Sequence, residues 1–464
     1  MIKLRIPVPL AILWLVLAAT ASSAQTFATL ANFIGSEGFA PWSPVIQGTD
    51  GNFYGVTSYG GAYSGGVVFE LTPGGEMTDL YDFAYGDYPF GALLQAADGN
   101  FYGTTTAGNN WGTVFKMTRK GKVTTLYTFA GTDGSSPYAG LVQATDGNFY
   151  GTTSSGGASN TCPYYYGCGT VFKVTKKGKL TTLYSFGGAD GERPFGGLLQ
   201  ATDGNLYGTT SAGGANSYGT VFKITTKGAL ETLHNFNGTD GEYPFAGLIQ
   251  ATDGNLYGTT CCGGATNDGT VFKITPNGSL TTIYSFDGTS GIGPYGGLIQ
   301  ATDGNFYVTT EFGGNTQTNC SFDSCGMIFQ LTPAGTLTAL HSFDVTDGGN
   351  PYAALLQSTN GSFYGTTLAG GSNGYGTAFS LSMGLGPFVE TEPTSGKVGK
   401  KVTILGTDLT GATSVSFNGT AGTFVIVSSS EIKTQVPAGA TSGTVEVTTP
   451  AGTLKSNIAF RVAQ

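Results

Sequence analysis

Leu248-Ile249-Gln250-Ala251-Thr252-Asp253-Gly254-Asn255-Leu256-Tyr257-Gly258-Thr259-Thr260 is one copy of a segment that recurs, with small changes, along most of the chain. The copies centre on Asp50-Gly51-Asn52, Asp98-Gly99-Asn100, Asp146-Gly147-Asn148, Asp203-Gly204-Asn205, Asp253-Gly254-Asn255, Asp303-Gly304-Asn305 and Asn360-Gly361-Ser362, spaced 48, 48, 57, 50, 50 and 57 residues apart. In each copy an apolar run meets Asp-Gly and then an alternating run. That is a hairpin signature, because the turn needs a positive φ that glycine tolerates. Beyond a Gly-rich loop, Gly269 to Thr275 and Leu280 to Phe286 read as third and fourth strands, β-branched and aromatic. Four short antiparallel strands in about 50 residues, repeated seven times, predict an all-β, seven-bladed β-propeller.

The ends of the array support a closed ring over a solenoid. The seventh copy stops at Ser380-Leu381-Ser382 without its fourth strand, while Thr26 to Phe33 carries the fourth-strand pattern at the other end. The N-terminal segment is therefore expected to complete the last blade and remove an exposed sheet edge.

Before it, Lys3 and Arg5 precede an apolar run from Pro7 to Ala21 and small residues Ser22 and Ala24, the layout of a secretory signal over residues 1–24. Cleavage leaves 18 basic and 29 acidic residues, formally −11, which argues against nucleic acid and anionic membrane as partners. A secreted or cell-surface location is expected, with no membrane insertion after signal cleavage. The repeats occupy 25–384. From Pro387 to Gln464 the periodicity changes to short alternating strands between Gly, Pro and Asn turns, which read as a small immunoglobulin-like β-sandwich.

The residues Asp-Gly-Asn-Leu-Tyr-Gly-Thr-Thr, Gly-Gly, Gly-Thr-Val-Phe-Lys and Leu-Tyr-Ser-Phe resemble the GloVer tandem-repeat family of exported bacterial proteins over roughly residues 26 to 382. The resemblance implies no catalytic residues. Anchored members of that family carry varied C-terminal anchors, whereas this chain ends at Ala463-Gln464 without an apolar tail. The C-terminal unit, with its Pro-x-Ser-Gly opening and Phe417-Asn418-Gly419, looks like an IPT/TIG domain, which implies a spacer or binding module.

Two copies are long because of inserts, one with Cys162 and Cys168 and the other with Cys320 and Cys325. One local disulfide per insert is expected, since neither insert has the histidine or the four ligands of a zinc site. A disulfide between adjacent Cys261 and Cys262 would be strained.

Each crossing between repeats holds a proline and an aromatic residue: Pro41-Trp42, Pro89-Phe90, Pro137-Tyr138, Pro194-Phe195, Pro244-Phe245, Pro294-Tyr295 and Pro351-Tyr352. These aromatics either wedge between blades as core or form stacking platforms for sugars. Trp42, Tyr138, Phe245 and Tyr295 are nominated as binding residues, with Tyr164, Tyr165, Tyr166 and Phe322 of the inserts. A glutamine ends every first strand (Gln47, Gln95, Gln143, Gln200, Gln250, Gln300, Gln357) and is expected to hydrogen-bond between blades. His234 and His341 stand where other repeats have tyrosine, so base or ligand duty is not expected of them. No nucleophile elbow, zinc helix or calcium loop occurs, and no catalytic residue, metal or cofactor is assigned.

The expectation is a non-catalytic exported binding or scaffold protein that recognises an extracellular glycan or surface protein. One alternative is a polysaccharide-degrading enzyme using Asp190, Glu192, Asp240 and Glu242. Another is a structural surface-layer component.

Overall fold

The computed structural model describes residues 25–106, 111–159, 161–162, 167–314 and 325–463. Seven four-stranded antiparallel sheets make up the array, and in the first six the strands pair in sequence order from innermost A to outermost D. In the fifth blade these are Ile249–Gln250, Leu256–Thr260, Thr270–Ile274 and Leu280–Ser285. Strand A is thus shorter than its apolar run suggests.

The repeated motif is a hydrogen-bonding unit. Asp253 accepts from the Asn255 backbone amide (3.0 Å), the Asn255 side chain (2.8 Å) and the Tyr257 hydroxyl (3.0 Å). Gly254 between them sits at φ 81°, the left-handed conformation that the turn requires. Gly258 of strand B has a different task. A Cβ there would lie 2.6 Å from the Phe272 ring of strand C, so the glycine makes room for the phenylalanine. The sixth blade has Val308 instead, and its Phe329 stands 6.1 Å from Phe286 of the preceding blade. The equivalent pair Phe236 and Phe272 is at 5.2 Å. The extra side chain shifts one inter-blade contact without abolishing it.

Neighbouring blades are joined by apolar clusters. Between the fourth and fifth, for example, Tyr207, Val221, Phe236, Leu256, Phe272 and Ile274 are buried together. The same architecture closes the ring. Thr26–Asn32 pairs antiparallel with Thr377–Ser382 as the outer strand of the seventh blade. Phe33, Phe53, Phe69 and Tyr364 form the cluster that unites the seventh blade with the first.

The glutamines make a second closed circuit. The side-chain oxygen of each accepts from a backbone amide of the preceding blade: Thr49 to Gln95, Ala97 to Gln143, Thr145 to Gln200, Thr202 to Gln250, Thr252 to Gln300 and Thr302 to Gln357. The circuit returns from Thr359 to Gln47 at 3.0 Å. The amide nitrogens of Gln95, Gln143, Gln200, Gln250, Gln300 and Gln357 bond the turn glycine of their own blade, as from Gln250 to the Gly254 carbonyl at 3.0 Å. The expected role of the glutamines in blade pairing is therefore observed.

The C-terminal unit is a sandwich of two four-stranded sheets around Val402, Ile404, Val415, Phe417, Ile432, Val445, Val447 and Phe460. It packs on the end of the ring that carries the Asp-Gly-Asn turns. Ser430 donates to the Thr49 carbonyl (2.9 Å), Thr407 bonds Thr359 (3.0 Å), and Arg461 donates to the Thr202 carbonyl. These contacts reach the first, seventh and fourth blades, so the sandwich lies across that end of the ring rather than beside one blade.

Candidate functional site

At the opposite end each blade is entered by a crossing of one design. The residue before the proline is left-handed: Ala40, Tyr88, Ser136, Arg193, Tyr243 and Asn350 have φ between 44° and 57°, and Gly293 has 67°. For side-chain-bearing residues this conformation is sparsely populated, and a following proline restricts it further. Strain of this kind persists only where the surroundings over-determine it. Here a threonine from the preceding blade holds the carbonyl after the aromatic residue. Thr259 donates to Gly296 (3.1 Å), Thr209 to Ala246 (2.9 Å) and Thr104 to Ala139 (2.9 Å).

The result is a third closed circuit, made of side chains. Ring contacts run from Trp42 to Phe90, Tyr138, Phe195, Phe245, Tyr295 and Tyr352, then back to Trp42, with centroid separations between 4.6 and 6.2 Å. A regular heptagon with such sides is about 12 Å across, and its members mix tilted, edge and stacked contacts as aromatic quadrupoles favour. All seven residues are half-buried. They line a cavity of about 750 Å³ on the axis whose remaining wall is mostly Gly, Ala, Val, Leu and Ile. The volume falls in the range of small-molecule sites.

Among the described residues, no carboxylate, imidazole or ammonium lines this wall. Burial raises the hydroxyls of Tyr138, Tyr295 and Tyr352 above the ordinary tyrosine range, so they stay protonated and can donate. The first blade breaks the pattern. Trp42-Ser43 stands where the others have Phe or Tyr followed by Gly or Ala. Trp42 Nε1 and Ser43 Oγ are buried without a hydrogen-bond partner among the described residues. Around the mouth, burial pushes the Glu311 carboxyl up to about 7 and raises Glu242, while Arg193 lies 5.0 Å over the Phe195 ring. Tyr63, Tyr85, Trp111, Tyr243 and Tyr375, the exposed large aromatics among the described ring residues, all sit on loops at this same end.

The nominated residues Trp42, Tyr138, Phe245 and Tyr295 thus meet around one cavity, joined by Phe90, Phe195 and Tyr352. The sevenfold Pro-aromatic repeat was the signal for these three. The aromatics pack on one another and present a surface at once. Tyr164, Tyr165, Tyr166, Phe322 and Cys320 lie outside the described residues. Cys162 and Cys168 are bonded, with sulfurs at 2.02 Å, and Cys325 is disulfide-bonded. The grouping of Cys162, Cys168 and Glu192 offers no metal site, because the disulfide occupies both sulfurs.

Two acids of the enzymatic alternative, Asp190 and Asp240, have other work. Asp190 accepts from the Gly187 amide and from the Tyr184 hydroxyl. Asp240 does the same for Asn237 (2.9 Å) and for His234 Nε2 (2.9 Å). His341 repeats the bond with Asp347 at 2.8 Å. The histidines replace tyrosine in a turn-fixing contact, and Asp190, Asp240 and Asp347 are turn residues.

A closed seven-bladed propeller with an aromatic axial mouth at one end and a small sandwich across the other defines the class. The chain belongs to the Gloeobacter/Verrucomicrobia repeat family, whose model matches residues 16–165 and 163–379, and an IPT/TIG domain matches 389–462. No relative among curated proteins matches it. Among solved structures it is similar to a copper-bound fungal alcohol oxidase of the AA5 family, at 16% identity and TM-score 0.51, covering 92% of this chain and 98% of that one. It is also similar to a gluconolactonase from Xanthomonas campestris, at 12% identity and TM-score 0.41, covering 78% and 90% respectively. At these identities the likeness concerns the fold alone. Among the described residues no helix is long and apolar enough to cross a membrane.

Proposed function

We propose that this is an exported, non-catalytic binding protein whose aromatic mouth takes the end of an extracellular glycan or a sugar-bearing surface protein. The observation that carries the reading is the closed circuit of seven half-buried aromatic rings over a 750 Å³ axial cavity. Stacked aromatic faces suit the apolar faces of sugar rings, and the protonated tyrosine hydroxyls supply a few polar groups. The opposite end is occupied by the sandwich, so a ligand enters from one side and binds by its terminus. Asp190 and Asp240 are committed to turns, which weighs against their use as a glycosidase's paired carboxylates. The disulfide Cys162–Cys168 agrees with an oxidising, extracytoplasmic location.

A glycan array followed by calorimetry on the best hit tests this. Tyr295→Ala with Tyr352→Ala should weaken binding at least tenfold. Neutralising Lys176, Lys177 and Lys179 at the other end should leave it unchanged. The reverse pattern refutes the reading, and release of a shortened glycan on incubation refutes its non-catalytic part.

A further inference from the structure

Strand B of the fifth blade ends in Cys261-Cys262, and nothing in the binding reading uses them. In other blades the first of these positions holds Ser58, Thr106, Ser154, Ser211, Glu311 or Leu368. The serines at 154 and 211 send their hydroxyls back to the carbonyl of the left-handed crossing residue, at 3.1 and 3.0 Å. Cys261 and Cys262 turn their sulfurs toward each other instead, 2.8 Å apart, closer than an ordinary non-bonded sulfur contact. The backbone yields to this arrangement. The amides of Cys261 and Cys262 reach the carbonyls of Tyr243 and Glu242 at 3.4 Å each. The equivalent pair at Ser211 and Ala212 measures 3.0 and 3.1 Å, and that at Glu311 and Phe312 the same.

We propose that Cys261 and Cys262 are a modification site, closed to a vicinal disulfide in the exported protein. Adjacent cysteines alone argue for strain against such a bond. What overrides that expectation is a strand end already spread so that the sulfurs face each other, in a chain oxidised elsewhere at Cys162–Cys168. Metal capture is the competing use of two thiols. Among the described residues, no third Cys, His, Asp or Glu joins this pair within ligand distance.

The step is thiol–disulfide exchange with a disulfide-bonded oxidant of the export compartment. Cys262 is half-buried while Cys261 is only 3% exposed, so the oxidant reaches Cys262 first. The hydrogen bond from Cys261 also lowers the Cys262 thiol below its ordinary value. Its thiolate attacks one sulfur of the oxidant, and the other leaves as a thiol after taking a proton. Cys261, losing its proton to solvent, then attacks Cys262 and expels the oxidant as a dithiol. Two S–H bonds become one S–S bond, and the two electrons reside on the reduced oxidant. Because the Tyr295 hydroxyl lies beside Cys261, the bridge forms directly behind one member of the aromatic circuit.

The full chain, exported to an oxidising compartment, is denatured in iodoacetamide without reductant and mapped by peptide mass. The peptide holding Cys261 and Cys262 should be unalkylated and two hydrogens lighter than the dithiol, becoming doubly alkylated only after reduction. Double alkylation without reductant, while Cys162–Cys168 stays closed, overturns the proposal. So does a mixed disulfide to another cysteine or to a small thiol. In Cys262→Ser the denatured, unreduced chain should expose one further alkylatable thiol, at Cys261. No gain of a thiol overturns it equally, and this readout needs no ligand.

Discussion

The two ends of the ring are built from the same repeats by opposite means. At the Asp-Gly-Asn end, polar pairing does most of the joining: aspartates with turn amides and tyrosine hydroxyls, glutamines with the preceding blade, and the sandwich with Thr49, Thr202 and Thr359. At the other end six side-chain-bearing residues sit in left-handed conformations before the crossing prolines, and large aromatics face solvent. One end spends its interactions on holding blades together. The other keeps strain and apolar surface, as contact surfaces do.

The largest expected effect falls on the seam both ends share. Deleting residues 25–33 exposes the edge of Thr377–Ser382 and opens the cluster around Phe33 and Phe69. The loss should be about 5 kcal/mol or complete failure to fold, read as melting temperature and soluble yield. An unchanged melting temperature would break the ring description at both ends. Next comes the paired end. Gln95→Ala orphans the Thr49 amide, which it accepts at 2.8 Å in a buried setting, and should cost about 1–3 kcal/mol without touching ligand affinity.

A smaller effect is expected where the sandwich meets the ring. Burial pushes the Glu390 and Glu392 carboxyls up to about 7 and about 8, with their mutual repulsion and Asp98 adding to the second. The folded state therefore holds protons that the unfolded chain has released. Their stabilisation is full below the ordinary glutamate range and is lost as pH rises toward about 8. Unfolding by urea should show stability falling through that window, and Glu392→Gln should flatten the fall. A stability that rises there contradicts the assignment. The smallest change in stability is expected at the open end. Replacing the exposed Tyr63 and Tyr85 by serine should leave the melting temperature within a degree or two while ligand binding weakens, in keeping with surface substitutions away from packed features.

What could be read from sequence follows the same division. The hairpins, the displaced strand at Thr26 and the linking role of Gln250 are each written in residues that recur at fixed spacing, so seven copies corroborate one another. The meeting of the aromatics around an axis was readable only as one of two options. The direction of Tyr295 depends on the left-handed residue before Pro294, and that position holds Ala40, Tyr88, Ser136, Arg193, Tyr243, Gly293 or Asn350. No side-chain type marks it. The docking of the sandwich was illegible for a different reason, since Ser430, Thr407 and Arg461 make contacts that occur once. Val308 illustrates the limit within a repeat: a single departure from glycine shifts Phe329, and no periodic signal foretells it.

The pairing of Thr26 with Ser382 also sets an order in time. The first strand made has no partner until the last blade exists, roughly 350 residues later, and joining ends so far apart carries the entropic cost of closing a very long loop. Every blade before the last can assemble on its neighbour as it emerges, but the ring cannot shut. A chain cut short anywhere before Ser382 keeps an unsatisfied edge on both sides of the gap, visible to proteases and chaperones. Closure thereby acts as a proofreading step, in which only a complete molecule hides its own beginning.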